Sequence, residues 1–197
     1  MDALDFGPAT RTVAELVAAV RDDQLRGHTP CPAYVTADLL DHLGGLCLAF
    51  TAAARKTALP GAGADPSGDG SRLEDGWRDR LGTALGGLAD AWDDPAAYDG
   101  FTQAGPVQLP AEVAALVALN EVVVHGWDLA RATGQDYDPD AAAIVACTGF
   151  AANFEPPADA DATGLFGPPV PVPDDAPALH RLLGLTGRDP AWTGSTA

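Results

Sequence analysis

A chain of 197 residues, 47% of them apolar, is long enough and apolar enough to fold as one globular domain with a sizeable core. Its formal net charge of −17 would repel phosphate backbones, which disfavours nucleic acid as a partner. No run approaches about eighteen consecutive apolar residues and the start of the chain lacks signal-peptide features, so we expect no membrane span. The three cysteines have no CxxC spacing, which predicts reduced thiols and a cytoplasmic protein.

Four long segments have the apolar spacing of amphipathic helices. These predicted helices cover residues 8–26, 36–57, 73–92 and 110–133. Pro110 suits the first turn of the last one, and Gly134 is well placed to end it.

The rest of the chain is less regular. A fifth helix is predicted to follow Pro139 and to reach about Asn153, and the Pro-rich remainder contains one short helix over residues 177–183. No strand alternation stands out. The expected fold is all-α, an antiparallel four-helix bundle with short extra helices, in which residues 1–155 form the bundle and residues 156–197 a Pro-rich segment packed on it.

The run "NEVVVHGWD" in the fourth helix places polar side chains among valines. Glu121 and His125 are one helical turn apart, so they share a direction on or beside the apolar stripe. His42 lies among apolar positions of the second helix. Because burying an unpaired carboxylate costs several kcal/mol, Glu121 needs a partner, which could be His125 or a cation. Two histidines and one glutamate leave a coordination position open, as catalytic zinc sites do, and nickel or iron would accept the same ligands.

Simpler arrangements fit the same spacing. A lone histidine on an apolar face is more often a hydrogen-bonded core residue, and a Glu-x-x-x-His pair is usually a surface ion pair. Spacing alone therefore leaves a metal site as one of several interpretations. His28 and His180 are expected to be solvated, and Cys31 is expected to be structural, with no role assigned.

Three segments, in order along the chain, resemble one protein family. "TPCPAYVTADLLDHLGG" resembles a segment of actinobacterial DinB-like proteins, which belong with the N-terminal domain of mycothiol-dependent maleylpyruvate isomerases. "LNEVVVHGWDLARATG" looks like their fourth-helix signature, and "FGPPVPVPDDAPALHRLLGLTGRDPAW" looks like the closing segment of a subgroup described as metal-binding. The resemblance implies a four-helix bundle that binds a divalent metal through His42, Glu121 and His125.

The sequence departs from the family pattern before the second helix. Tyr34 stands where the family has Trp, Ala33 replaces an acidic residue, and Val35 replaces the capping Thr, so we expect Thr36 to cap the helix instead. The characterised isomerases also carry an additional C-terminal domain that helps to hold the thiol. We do not expect this chain to contain it, so their specific activity is not carried over.

The resemblance implies an enzyme that acts on a small-molecule thiol and an electrophile. The expected cofactor is a divalent metal, with zinc favoured and nickel or iron as alternatives, and mycothiol is the suggested co-substrate. Coordination to the metal would supply a thiolate for S-transfer or isomerisation. Asp38 and Asp128 are candidates for outer acceptors that orient the histidines, and Arg131 for steering an anionic group. No residue is assigned as catalytic, and a homodimer is the oligomer to test.

Other functions use the same residues. The site could instead activate water for hydrolysis, or belong to a non-catalytic metal-binding or regulatory protein. A fourth protein ligand would favour the second of these, and none is evident in the sequence. A scaffold that has kept the fold without the chemistry is a third alternative, which the intact ligand types oppose.

Overall fold

The computed structural model describes residues 3–58, 67–105, 107–154 and 166–194. Its α-helices within these ranges are α1 (Gly7–Ala19), α2 (Thr36–Arg55), α3 (Trp77–Trp92), α4 (Ala111–Thr133), α5 (Ala141–Ala152) and α6 (Ala178–Leu185). Two short strands, β1 (Phe101–Ala104) and β2 (Val107–Pro110), form a hairpin before α4. The predicted all-α fold is confirmed.

Helices α1 to α4 form a four-helix bundle in which α1 and α2 each pack against both α3 and α4. Helices α1 and α3 are antiparallel, because Arg78 at the start of α3 donates to the carbonyl of Val20 just after α1. Helices α1 and α4 run in the same direction, since Val13 approaches Gly126 and, further along both helices, the Leu16 carbonyl accepts from Gln135. The bundle therefore combines antiparallel and parallel neighbours, which requires long connections.

Two predicted helix starts or ends differ from the structure. Helix α1 stops at Ala19 rather than near residue 26, because Val20 is extended and both Arg78 bonds use its carbonyl group. Helix α3 begins at Trp77 rather than near residue 73, since Gly76 adopts a left-handed conformation with φ 76°. The predicted end of α4 is confirmed, with Gly134 at φ 69°.

The start of α2 corrects the predicted cap. The N-cap residue is Val35, and the Thr36 hydroxyl donates to the Gly27 carbonyl instead of capping the helix. Asp38 accepts from the Val35 backbone amide at 3.1 Å, so a carboxylate three residues into the helix satisfies the exposed donor.

The β-hairpin was not predicted from the sequence. Thr102 pairs with Leu109 in it, and the Thr102 hydroxyl donates to the Ala53 carbonyl at the end of α2, 2.6 Å away. Gly105 has φ 58° at the turn, a conformation that glycine adopts without strain. Strands of four residues are too short for alternation to identify them.

Helix α4 is the central helix of the fold. From residue 118 to residue 130 every residue is buried except Glu121. The Glu121 side chain is 12% exposed. Helices α2 and α4 are each long and apolar enough to span a membrane by length and composition alone. Burial of 78% of the apolar window of α4 within the bundle accounts for its hydrophobicity without a membrane.

The C-terminal segment packs on the bundle through α6, which lies against α5. The domain boundary predicted between residues 155 and 156 lies outside the described residues. Residues 166–194 also reach α4 directly, through Arg188 to Asp128 and through Arg131 to the carbonyl of Trp192.

Candidate metal centre

The three predicted metal ligands lie together between α2 and α4. One ligand atom from each of His42, Glu121 and His125 falls within 4.8 Å of the other two. The rings of His42 and His125 are nearly perpendicular, with centroids 5.0 Å apart. The antiparallel packing of α2 on α4 thus brings together residues about eighty positions apart in the chain.

Asp128 fixes the orientation of His125. Its carboxylate is completely buried and lies 2.9 Å from Nδ1 of His125, one turn along α4. Because an ionised carboxylate only accepts hydrogen bonds, Nδ1 must carry a proton. The other ring nitrogen, Nε2, therefore faces Glu121, whose Oε2 is 3.0 Å away.

Arg188 completes this chain of contacts from outside α4. Its Nη2 donates to Oδ2 of Asp128 at 3.0 Å, and its Nε lies 3.4 Å from the other carboxylate oxygen. The guanidinium is largely enclosed, with 13% of the side chain exposed. Sequence reasoning missed Arg188, because nothing in "LTGRDP" indicates that its partner lies sixty positions earlier.

These contacts shift the pKa of each buried group. Burial alone would lower the pKa of His125, but hydrogen bonds to Asp128 and Glu121 and their charges raise it to about 9. Burial would raise the pKa of Asp128, and the charge of Arg188 with the His125 bond outweighs it, so the pKa is lowered. The pKa of Glu121 is likewise lowered by His125 against the effect of burial. At neutral pH the metal-free cluster therefore holds an imidazolium between two carboxylates.

The His42 side of the cluster is more open. His42 is half-buried, and the ring of Tyr34 packs beside it with centroids 5.1 Å apart. The Tyr34 hydroxyl accepts from the backbone amide of Gly68, whose chain passes so close to α2 that a Cβ would meet the Asp38 carbonyl group and the Cβ of His42. A turn before α2 and the segment after residue 66 therefore border the cluster.

Two further predicted site residues have other described contacts. The carboxylate oxygens of Asp38 accept from the backbone amides of Val35 and Gly70, at 3.1 and 2.8 Å, which ties the Gly68 segment to α2. Arg131 is exposed on α4 and donates to the carbonyl of Trp192 at 2.6 Å. The arginine at the cluster is Arg188, so the predicted steering role of Arg131 gains no support from its described contacts.

The residues left without a role differ in their surroundings. Cys31 is half-buried, and burial raises the pKa of its thiol. The charge of Arg188 opposes this increase in pKa and the charge of Glu121 adds to it. Cys31 therefore lies near the cluster. His28 is exposed and bridges to Val35 through its backbone, and His180 is half-buried on α6.

The donor set fits a divalent ion. Zinc bonds of about 2.0–2.2 Å in tetrahedral geometry place ligand atoms roughly 3.4 Å from one another, so atoms within 4.8 Å need only small side-chain shifts. The Nε2 of His125 would exchange its proton for the ion, while Nδ1 keeps its bond to Asp128. Among the described residues no fourth histidine, cysteine or carboxylate joins the cluster.

Comparison with known proteins agrees with this arrangement. Residues 6–130 match the model of the mycothiol maleylpyruvate isomerase N-terminal domain. An uncharacterised protein of Mycobacterium tuberculosis strain H37Rv is 27% identical over 175 residues, covering 89% of this chain and 91% of the relative, and a protein of strain CDC 1551 matches equally. No solved structure matches the chain. The matched domain spans well over half of the sequence and contains all three clustered residues, so the chain belongs to the family of the mycothiol maleylpyruvate isomerase N-terminal domain.

Proposed function

We propose that this protein is a metal-dependent enzyme that uses a low-molecular-weight thiol of the mycothiol type, as an S-transferase or isomerase. His42, Glu121 and His125 hold the ion, which we expect to be zinc. The thiol and an electrophilic small molecule are the substrates, and the cytoplasm, where thiols stay reduced, is the expected compartment.

The convergence of three ligand atoms from two helices carries the proposal. Structural zinc sites close the coordination sphere with four protein ligands, whereas catalytic sites keep a position for a substrate or water. A set of three within the described part of the chain favours the catalytic arrangement over the structural one. When bound, the ion would lower the pKa of a coordinated thiol and make a thiolate available at neutral pH.

The charges around the cluster favour an anionic ligand. The carboxylates of Glu121 and Asp128 offset the charge of a divalent ion, and the guanidinium of Arg188 leaves one positive charge in excess. This local excess lies inside a protein whose formal net charge is −17. A thiolate, rather than a neutral thiol, is the form that such a site stabilises.

The more open side of the cluster gives the substrates a route. Only 7% of the His125 side chain and 12% of the Glu121 side chain are exposed, so approach across α4 is restricted. His42 is half-buried beside Tyr34 and the turn that carries Cys31. We expect the thiol to reach the ion from that side.

A conjugation assay tests the proposal. Purified protein loaded with Zn²⁺ is mixed with mycothiol and monochlorobimane, whose fluorescence reports formation of the C–S bond as chloride leaves. We expect acceleration above the uncatalysed rate, and its loss in the His125→Ala variant because one ligand is missing.

The matched control is His180→Ala, which removes a histidine that lies outside the cluster and should keep the acceleration. Several electrophiles are tried in parallel, because the pocket chemistry does not specify one. Zn²⁺-loaded protein that accelerates none of them would contradict thiol transfer and favour a non-catalytic metal-binding protein.

A further inference from the structure

We propose that Arg188, in the C-terminal segment beyond the matched family domain, is a positioning residue for the metal centre. It acts on the ligand His125 through Asp128 and so makes the C-terminal segment part of the site. The inference rests on the proposed metal site, and it assigns a role to a part of the chain that the family domain does not cover.

The end of α6 places Arg188 by backbone geometry. Gly187 has φ 79° and donates to the Gly184 carbonyl, while the backbone amide of Arg188 donates to the carbonyl of Leu183 at 2.8 Å. This pair of bonds is the Schellman arrangement, in which a glycine turns the chain sharply off the helix end. A side chain at Gly187 would also collide with the backbone of Gly167, since its Cβ would lie 2.8 Å away.

The side chain of Arg188 is held at both ends of its guanidinium. Nη1 donates to the Thr186 carbonyl at 3.0 Å, and Nη2 donates to Oδ2 of Asp128, also at 3.0 Å. Asp128 has no exposed surface, so its negative charge must be offset by neighbouring groups. Its ion-pair partners are His125 and Arg188. A carboxylate held in this way keeps the proton on Nδ1 of His125 and directs Nε2 towards the ion.

A purely electrostatic role and a positioning role predict opposite results. Removing the guanidinium takes a positive charge away from the neighbourhood of the ion, which by itself would strengthen cation binding. It also frees Asp128 to move, so Nδ1 of His125 loses the fixed acceptor that directs Nε2 towards the ion. If Arg188 positions His125, binding must weaken.

The test measures Zn²⁺ affinity by competition with a chromophoric chelator, for the wild type and for Arg188→Met, Arg188→Lys and Arg181→Met. We expect Arg188→Met to bind Zn²⁺ about 10–100-fold more weakly and Arg188→Lys to recover part of the loss, because lysine restores the charge but not the fork of donors. In the described contacts the Arg181 guanidinium donates only to the Asp174 and Ala176 carbonyls, so Arg181→Met should match the wild type. Tighter or unchanged binding in Arg188→Met would overturn the proposal.

A second measurement uses the wild type alone, in case Arg188→Met does not fold. Hydrogen exchange of residues 178–188 is compared with and without Zn²⁺, and coupling between site and segment predicts slower exchange when the ion is bound, since such coupling is reciprocal. Exchange that does not change in a protein that does bind Zn²⁺ would reject the role of Arg188 and leave the metal site intact. A wild type that binds no Zn²⁺ would instead reject the proposed function, and this inference with it.

Discussion

The two helices that form the metal centre hold their ligands in different ways. Glu121 and His125 lie on α4, where nearly every neighbouring side chain is buried and where Asp128 and Arg188 lock the imidazole. His42 lies on α2, half-buried, and its surroundings are a tyrosine ring and two connecting segments.

The difference assigns two properties of the site to different helices: α4 holds its ligands in place, and α2 borders the side from which substrates can enter. The α4 half has its side chains held by hydrogen bonds before any ion binds, which lowers the entropic cost of forming the site. The α2 half borders loops, and loops are where ligands enter and where structures adjust. The α4 half should therefore respond to substitution as a coupled unit, and the α2 half separately from it.

The largest contrast is expected between two alanine variants. Both His42→Ala and His125→Ala should abolish tight metal binding, but only His125→Ala should strongly destabilise the metal-free protein. Removing His125 takes a shared partner from the buried carboxylates of Glu121 and Asp128, of which Asp128 keeps Arg188, and breaking such a network typically costs up to about 3–5 kcal/mol. Denaturant unfolding in excess chelator measures the difference.

The His42→Ala variant is the control for His125→Ala, because it removes the same kind of side chain from the more open half of the site. We expect its free energy of unfolding in chelator to lie within about 1 kcal/mol of the wild type. Equal, large losses in both variants would show that the two halves are equally coupled and would remove the contrast.

The metal-free protein should also lose stability as the pH rises from 6.5 to about 9. The folded-state pKa of His125 is raised from 6.5 to about 9, so the stability it contributes is complete below pH 6.5 and is lost as the pH passes through 9. The loss is on the order of 3 kcal/mol. The pKa values of Glu121 and Asp128 are lowered, so their contribution is lost in the other direction, as the pH falls below about 4.

Unfolding curves between pH 6 and 10 in chelator measure this effect. The slope should persist in His42→Gln and disappear in His125→Gln, since the titrating group belongs to the α4 half. A wild-type stability that is flat over this range would show that His125 is not held as an imidazolium.

A smaller effect is expected at Gly126, next to His125. A Cβ there would lie 2.7 Å from the Tyr137 hydroxyl and from a methyl group of Val13, so Gly126→Ala forces α4 away from its neighbours. Overpacking of this kind costs about 1–3 kcal/mol. Thermal unfolding measures the loss, and Zn²⁺ affinity should fall with it because His125 moves.

Gly86→Ala is the matched control, because Gly86 is an exposed helical glycine with nothing within 4 Å of the added Cβ. It should raise stability by about 0.5–1 kcal/mol through helix propensity. A Gly126→Ala protein as stable as this control would mean that α4 has more room than the structure shows.

The ligands could be found from the sequence because their signals are local. Helical spacing put Glu121 and His125 on one face, a single histidine stood out on the second helix, and the family pattern connected them. Helical periodicity places Val113 and Val117 on the apolar stripe of the fourth helix, but both are half-buried in the structure while Ala114 is buried. A helix packed on nearly all sides has no single apolar face for periodicity to reveal.

The remaining features depend on contacts between distant segments. Arg188 reaches Asp128 only because α6 ends in a left-handed turn and packs beside α4, and no spacing rule links the two residues. Arg131 was the arginine nearest the motif in sequence, but it lies exposed and binds the C-terminal segment. The hairpin that contains Thr102 was missed because its strands are short and are stabilised by contacts with α2 and α4.

The most direct test of the metal centre is X-ray absorption spectroscopy at the zinc edge, on protein loaded with one Zn²⁺ per chain. The structure predicts nitrogen and oxygen neighbours at about 2.0–2.2 Å and outer-shell scattering from two imidazoles. With mycothiol added, a sulfur neighbour should appear at about 2.3 Å. Absence of bound zinc, or a sulfur ligand in the protein without added thiol, would contradict a site built from His42, Glu121 and His125.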